Sequence, residues 1–251
     1  MNYKYALVRE PGNNYTKCLS KHPMHHTVSL KKARKQHAKY RRILSELGLE
    51  IIMVPRDDLH PDSCFVEDNA IVHNGKALIC RMAKESRRGE QLAVAKVLEE
   101  FMAIKWALEP ATIEGGDVIH TEKKLIAGIT ERTNIDGIAQ MRAWFNVRID
   151  TVFDPGIMHL KSYVTYLGKE IMIAVEKYSK HPSLEGYNIL IPSIEEEYAA
   201  DTVTVGDSVL MADGFPLVQE MVRETGFDVI SLDVSEFQKC DGALTCLSIL
   251  F

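Results

Sequence analysis

What this chain has little of narrows it first. Only five of its 251 residues are cysteine, at positions 18, 64, 80, 240 and 246. An odd number at irregular spacing suggests reduced cytoplasmic thiols, with neither a disulfide framework nor a zinc ribbon. The pair His25-His26 has no Cys or His partner at ligand spacing, so no metal centre is expected. An excess of basic charge is missing too: the net charge of -5 leaves no overall field to hold nucleic acid. No apolar run is long enough for a signal peptide at the N-terminus or a bilayer span further on. These absences leave a cytoplasmic protein without metal or organic cofactor, monomer or homodimer, with no nucleic-acid or membrane partner.

What is present is an ordinary globular composition, 46% hydrophobic and 26% charged, enough for one domain over residues 1–251 with a substantial core. Tyr5 to Arg9 reads as a strand ended by the breakers Pro11-Gly12-Asn13-Asn14. A helix from Ser29 to Leu47 follows, with Leu30, Ala33, His37, Tyr40, Leu44 and Leu47 on one face and Gly48 as its stop. Its opposite face is basic, which suits either a solvated surface or a docking surface. Glu50 to Val54 is a strand.

From there a pattern of strand, strand, helix, strand recurs four times, at roughly forty to fifty residues per repeat, the scale of propeller architectures. The first repeat has strands flanking Asn74-Gly75, a hairpin signal. The helix of the third repeat is weak. A fifth unit is completed only if the ends meet: an apolar strand starting at Cys246 joins Tyr5 to Arg9, the basic helix and Glu50 to Val54. The predicted fold is therefore an α/β propeller of five ββαβ units closed by the two termini, which leaves no orphan strand.

In such a ring the leading strands converge on the axis, and their first residues line one pocket. Those residues are Glu67-Asp68, Glu114 (in Glu-Gly-Gly-Asp), His159 (in Met-His-Leu-Lys-Ser) and Cys246. Singly, each has an ordinary reading: a tight turn, a strand-end cap, a core histidine, a small buried hydrophobe. Together they supply nucleophilic catalysis, with Cys246 as thiol, His159 as base and Glu114 orienting the imidazole. Further carboxylates beside a thiol disfavour the thiolate. They make sense if the substrate is a cation such as a guanidinium, which carboxylates bind through paired charge-assisted hydrogen bonds.

The segments Asp62-Ser-Cys-Phe-Val-Glu-Asp68, Ser86-Arg-Arg, Glu114-Gly-Gly-Asp, Glu131-Arg-Thr-Asn, Met158-His-Leu-Lys-Ser and Asp241-Gly-Ala-Leu-Thr-Cys246 closely resemble the dimethylarginine dimethylaminohydrolase family, in order and from about Arg9 onward. The resemblance implies a five-bladed propeller, the fold of the guanidino-group modifying superfamily. It also implies a C–N hydrolase with Cys246 as nucleophile, His159 as acid/base and Glu114 as its partner. Glu67 and Asp68 would hold the guanidinium of a small-molecule substrate, Asp62 its ammonium, and Arg87 and Arg132 its carboxylate. Leu19, in a lid segment from Asn13, and the backbone of Cys240 complete the implied substrate contacts. Cys240 departs from the family, which has an apolar residue six positions before the nucleophile. Alternatives are a deiminase or amidinotransferase acting on unmethylated arginine, or a non-catalytic ribosome-binding factor of the same fold.

Overall fold

In the computed structural model, which describes residues 3–251, the two ends of the chain pair with each other. Ile249–Leu250 runs antiparallel to Tyr5–Val8, which in turn pairs in parallel with Glu50–Met53. The backbone amide of Tyr5 donates to the carbonyl of Phe251 at 2.7 Å, and that of Phe251 to the carbonyl of Tyr5 at 3.0 Å. Among the described residues there are four more three-stranded sheets. Each has an antiparallel hairpin followed by a parallel third strand: Ala70–His73, Lys76–Ile79 and Ala103–Trp106; Val118–His120, Leu125–Ile129 and Ile149–Phe153; Val164–Gly168, Ile171–Ala174 and Asn188–Leu190; Val203–Val205, Ser208–Ala212 and Asp228–Leu232. The five-unit expectation holds, with the fifth sheet built from both termini.

Parallel return strands require a crossover, and helices provide it. Leu30–Glu46 serves the terminal unit; Ser29 caps it by accepting the Lys32 amide at 3.3 Å, and Ala33, His37, Tyr40 and Leu44 are buried as their spacing predicts. Gln91–Leu98, Ile135–Phe145 and Pro216–Glu224 serve three others. Between Ile171–Ala174 and Asn188–Leu190 the weak helix of the sequence reading is replaced by a 3-10 turn, Pro182–Leu184, in which proline occupies the start of the turn. Among the described residues no helix is long and apolar enough to cross a membrane.

Two further expectations change. The run beginning at Cys246 does not start a strand: Thr245–Leu247 is a 3-10 turn, and extended pairing begins only at Ile249. The thiols are not all free either. Cys18 and Cys240 form a disulfide across a sequence separation of 222 residues, with Cα atoms 5.8 Å apart. Spacing along the chain could not reveal it, because closure of the ring is what brings residue 18 beside residue 240.

Candidate active site

Immediately before each hairpin of the four internal sheets, and before the terminal strand, lies a 3-10 turn: Val66–Asn69, Gly115–Asp117, Leu160–Ser162, Ile194–Ala200 and Thr245–Leu247. Val66–Asn69 touches Thr245–Leu247 and Gly115–Asp117; the latter touches Leu160–Ser162, which touches Ile194–Ala200. This chain of contacts puts the unit openings around one axis. It also explains the paired glycines. A Cβ on Gly115 would lie 2.0 Å from the Glu67 carbonyl oxygen, and one on Gly116 would lie 2.8 Å from both Asp68 Oδ1 and the His159 ring. Only glycine allows the turns to pack this closely.

One pocket is lined by Leu19, Asp62, Asp68, Arg87, Arg132, His159, Cys240 and Cys246, eight of the ten residues singled out from sequence. Glu114 stands behind them, fully buried, with Oε2 2.9 Å from His159 Nε2 and Oε1 accepting the Ala83 amide at 3.0 Å. Glu67 is placed differently. Lys161 Nζ donates to its Oε1 at 2.6 Å, and both residues line a separate cavity with His120 and Thr165. The two arginines also part company. Arg87 Nε donates to both oxygens of Glu90, its Nη2 to Glu90 Oε2 at 2.8 Å, and its Nη1 to Asp68 Oδ2 at 2.7 Å. Arg132 is just as buried, yet its Nε and Nη1 make no hydrogen bond.

The electrostatics follow from burial and from these neighbours. Burial alone would lower the His159 pKa, but Asp68, the hydrogen bond that its ring donates to Glu114 and the charge of Asp117 outweigh it and raise the imidazole to about 9. Against its own desolvation, Asp68 is held at about 2 by His159 and Arg87. Burial, then Asp201, Asp68 and Glu67, push the Cys246 thiol well above its usual range. At rest the pocket therefore holds an imidazolium beside a neutral thiol. The segment carrying Leu19 borders the pocket: the Leu19 amide donates to Asp62 Oδ1 at 3.1 Å, and the disulfide ties Cys18 to Cys240 at the rim.

Sequence reading missed several supports. Thr133 Oγ1 accepts the Glu114 amide at 3.1 Å and donates to Asp117 Oδ2 at 2.6 Å, while Asp117 Oδ1 accepts the Leu160 amide next to His159. Asp201 accepts from both the amide and the hydroxyl of Thr245. It lies between the turn Ile194–Ala200 and the strand Val203–Val205, at the opening of the fourth unit as Asp68 and His159 are at the openings of theirs, so a search of every unit's opening would have reached it. Glu90 and Lys161 carried no comparable signal, because a charged residue three positions after Arg87 or two after His159 reads as surface.

Known proteins resemble this chain over most or all of its length. The family model described as N,N dimethylarginine dimethylhydrolase, eukaryotic, matches residues 9–178. An N(G),N(G)-dimethylarginine dimethylaminohydrolase of Streptomyces coelicolor is 35% identical over 99% of this chain and 97% of its own length. That of Pseudomonas aeruginosa is 30% identical over 99% and 100%. The structure of a cysteine-to-serine variant of the Pseudomonas aeruginosa protein, complexed with citrulline, superposes with a TM-score of 0.96 over 100% of both chains at 30% identity. The chain belongs to the dimethylarginine dimethylaminohydrolase family of hydrolases.

Proposed function

We propose that this protein hydrolyses N-methylated arginine to citrulline and methylamine or dimethylamine, through a covalent thiouronium on Cys246. The observation that carries the reading is one buried pocket that brings Cys246, His159 and Asp68 together, with Glu114 Oε2 2.9 Å from His159 Nε2. Carboxylates that suppress the thiolate in the free protein are neutralised by a guanidinium, so binding of the cationic substrate releases the thiol proton to solvent and makes the nucleophile. Sγ then bonds to the guanidinium carbon. The bond to the methylated nitrogen breaks, and the His159 imidazolium gives its proton to the departing amine. Neutral His159 next takes a proton from water and the hydroxide adds to the same carbon; the S–C bond then breaks, the proton on the added oxygen passes to the departing sulfur, and the thiol and the ureido group of citrulline remain.

Asp68 is positioned to accept guanidinium N–H bonds, with Arg87 fixing its carboxylate. Asp62 serves the α-ammonium, and the free N–H groups of Arg132 serve the α-carboxylate. Glu67, neutralised by Lys161, supports the floor of the site more than it grips the substrate. The test is incubation of the pure protein with mono- and dimethylated arginine, arginine and agmatine, measuring ureido product and released amine. Methylarginines are expected to lead; a tenfold or larger kcat/KM preference for free arginine would overturn the substrate assignment.

A further inference from the structure

The disulfide at the rim has a third neighbour. Sγ of Cys18, Sγ of Cys240 and a ring nitrogen of His25 lie within 4.8 Å of one another. His25 Nε2 is buried and makes no hydrogen bond. A buried imidazole nitrogen without a partner costs free energy unless something fills its valence. Two cysteines and a histidine are a donor set for a thiophilic divalent cation of the zinc type.

The segment carrying Cys18 and His25 is held against residues 235–241 by contacts independent of the S–S bond. Ser20 Oγ donates to the Lys239 carbonyl at 2.9 Å, the Lys21 amide to Asp241 Oδ2 at 2.7 Å, and the Ser29 amide to Glu236 Oε2 at 2.8 Å. Opening the disulfide therefore leaves the three donors together. Tetrahedral zinc, with Zn–S bonds of ~2.3 Å, asks the sulfurs to separate to roughly 3.8 Å, which side-chain rotation provides over a fixed Cα separation of 5.8 Å.

We propose that Cys18, His25 and Cys240 form a zinc-type metal site that replaces the disulfide under reducing conditions. A thiol reductant gives two electrons and two protons to the S–S bond and becomes a disulfide itself; the cation then displaces both thiol protons and takes His25 as third ligand, with a fourth position open to solvent. Disulfide and metal exclude each other, yet both fasten the lid segment bearing Leu19 to the rim bearing Cys240. Only when the pair is reduced and metal-free is the segment left to its hydrogen bonds alone.

The test uses full-length protein carrying Cys246→Ser, to remove the pocket thiol, reduced with a phosphine and titrated with Co2+. One equivalent should bind with a thiolate-to-cobalt charge-transfer band. Adding Cys18→Ser or Cys240→Ser should abolish or at least halve that band, His25→Ala should weaken binding tenfold or more, and a thiol oxidant should expel the metal. Absence of the band, or a band undiminished by either serine substitution, overturns the site. Should those variants fold poorly, alkylation of the reduced wild-type protein decides: Zn2+ should slow labelling of the Cys18 and Cys240 peptides at least tenfold, and unchanged labelling of both overturns the proposal. Neither readout depends on turnover, so failure here is distinct from failure of the proposed reaction.

Discussion

Asp201 holds Thr245 with both carboxylate oxygens, Oδ1 on the backbone amide and Oδ2 on the hydroxyl, each at 2.9 Å, one residue before Cys246. The fourth unit thereby fixes the turn that carries Cys246, the nucleophile of the proposed reaction. Asp201→Ala leaves two buried donors unpaired and should lower stability by about 1–3 kcal/mol in urea unfolding. By releasing the turn it should also lower kcat by up to ~100-fold. Burial, then the charge of Glu67, raises the Asp201 pKa from 3.8 to about 7. Its contribution to stability is thus fully present below pH 3.8 and lost as pH rises through about 7. The loss of stability between pH 5 and 8 should be smaller in Asp201→Asn; an identical pH dependence would remove Asp201 from that effect.

In the proposed mechanism His159 should set the alkaline limb of activity. An imidazole raised to about 9 is the loaded acid for the departing amine at neutral pH, and it loses that proton as pH passes through about 9. Glu114→Gln removes a partner that raises this pKa, so the limb should move to lower pH and the rate should fall, while His159→Ala should cost several orders of magnitude. A pH–rate profile unchanged by Glu114→Gln would take that residue out of the mechanism.

The two arginines, alike in sequence, should behave differently. Arg132 Nε and Nη1 make no hydrogen bond, Nη1 standing 3.6 Å from Glu114 Oε2, so Arg132→Ala should raise KM for amino-acid substrates more than for agmatine. Arg87 is consumed by Glu90 and Asp68, and its removal strands two buried carboxylates at a cost of about 3–5 kcal/mol. Arg87→Ala should therefore depress stability and all substrates together. Equal losses for arginine analogues and agmatine in Arg132→Ala would undo the clamp assignment.

The ring was legible because each unit repeats a hairpin, a crossover and a parallel return, and because the termini supply what the fifth unit lacks. Cys246, His159, Glu114 and Asp68 were legible because a shared slot in the repeat becomes a shared place on the axis. Contacts that arise only after closure were not. The Cys18–Cys240 bond and the nearness of His25 to Cys240 join residues more than two hundred positions apart. The pairing of Glu67 with Lys161 was hidden for a related reason: adjacent residues in a 3-10 turn point different ways, so Asp68 faces the pocket while Glu67 faces the neighbouring cavity.

The central claim is that Cys246 Sγ carries the covalent step. The most direct measurement is citrulline formation from dimethylarginine by Cys246→Ser, alongside calorimetric binding of the same substrate. A serine hydroxyl has no thiolate character at neutral pH, so the account predicts turnover reduced by at least ~1,000-fold with binding largely kept. Retention of more than a few per cent of the wild-type rate would contradict it.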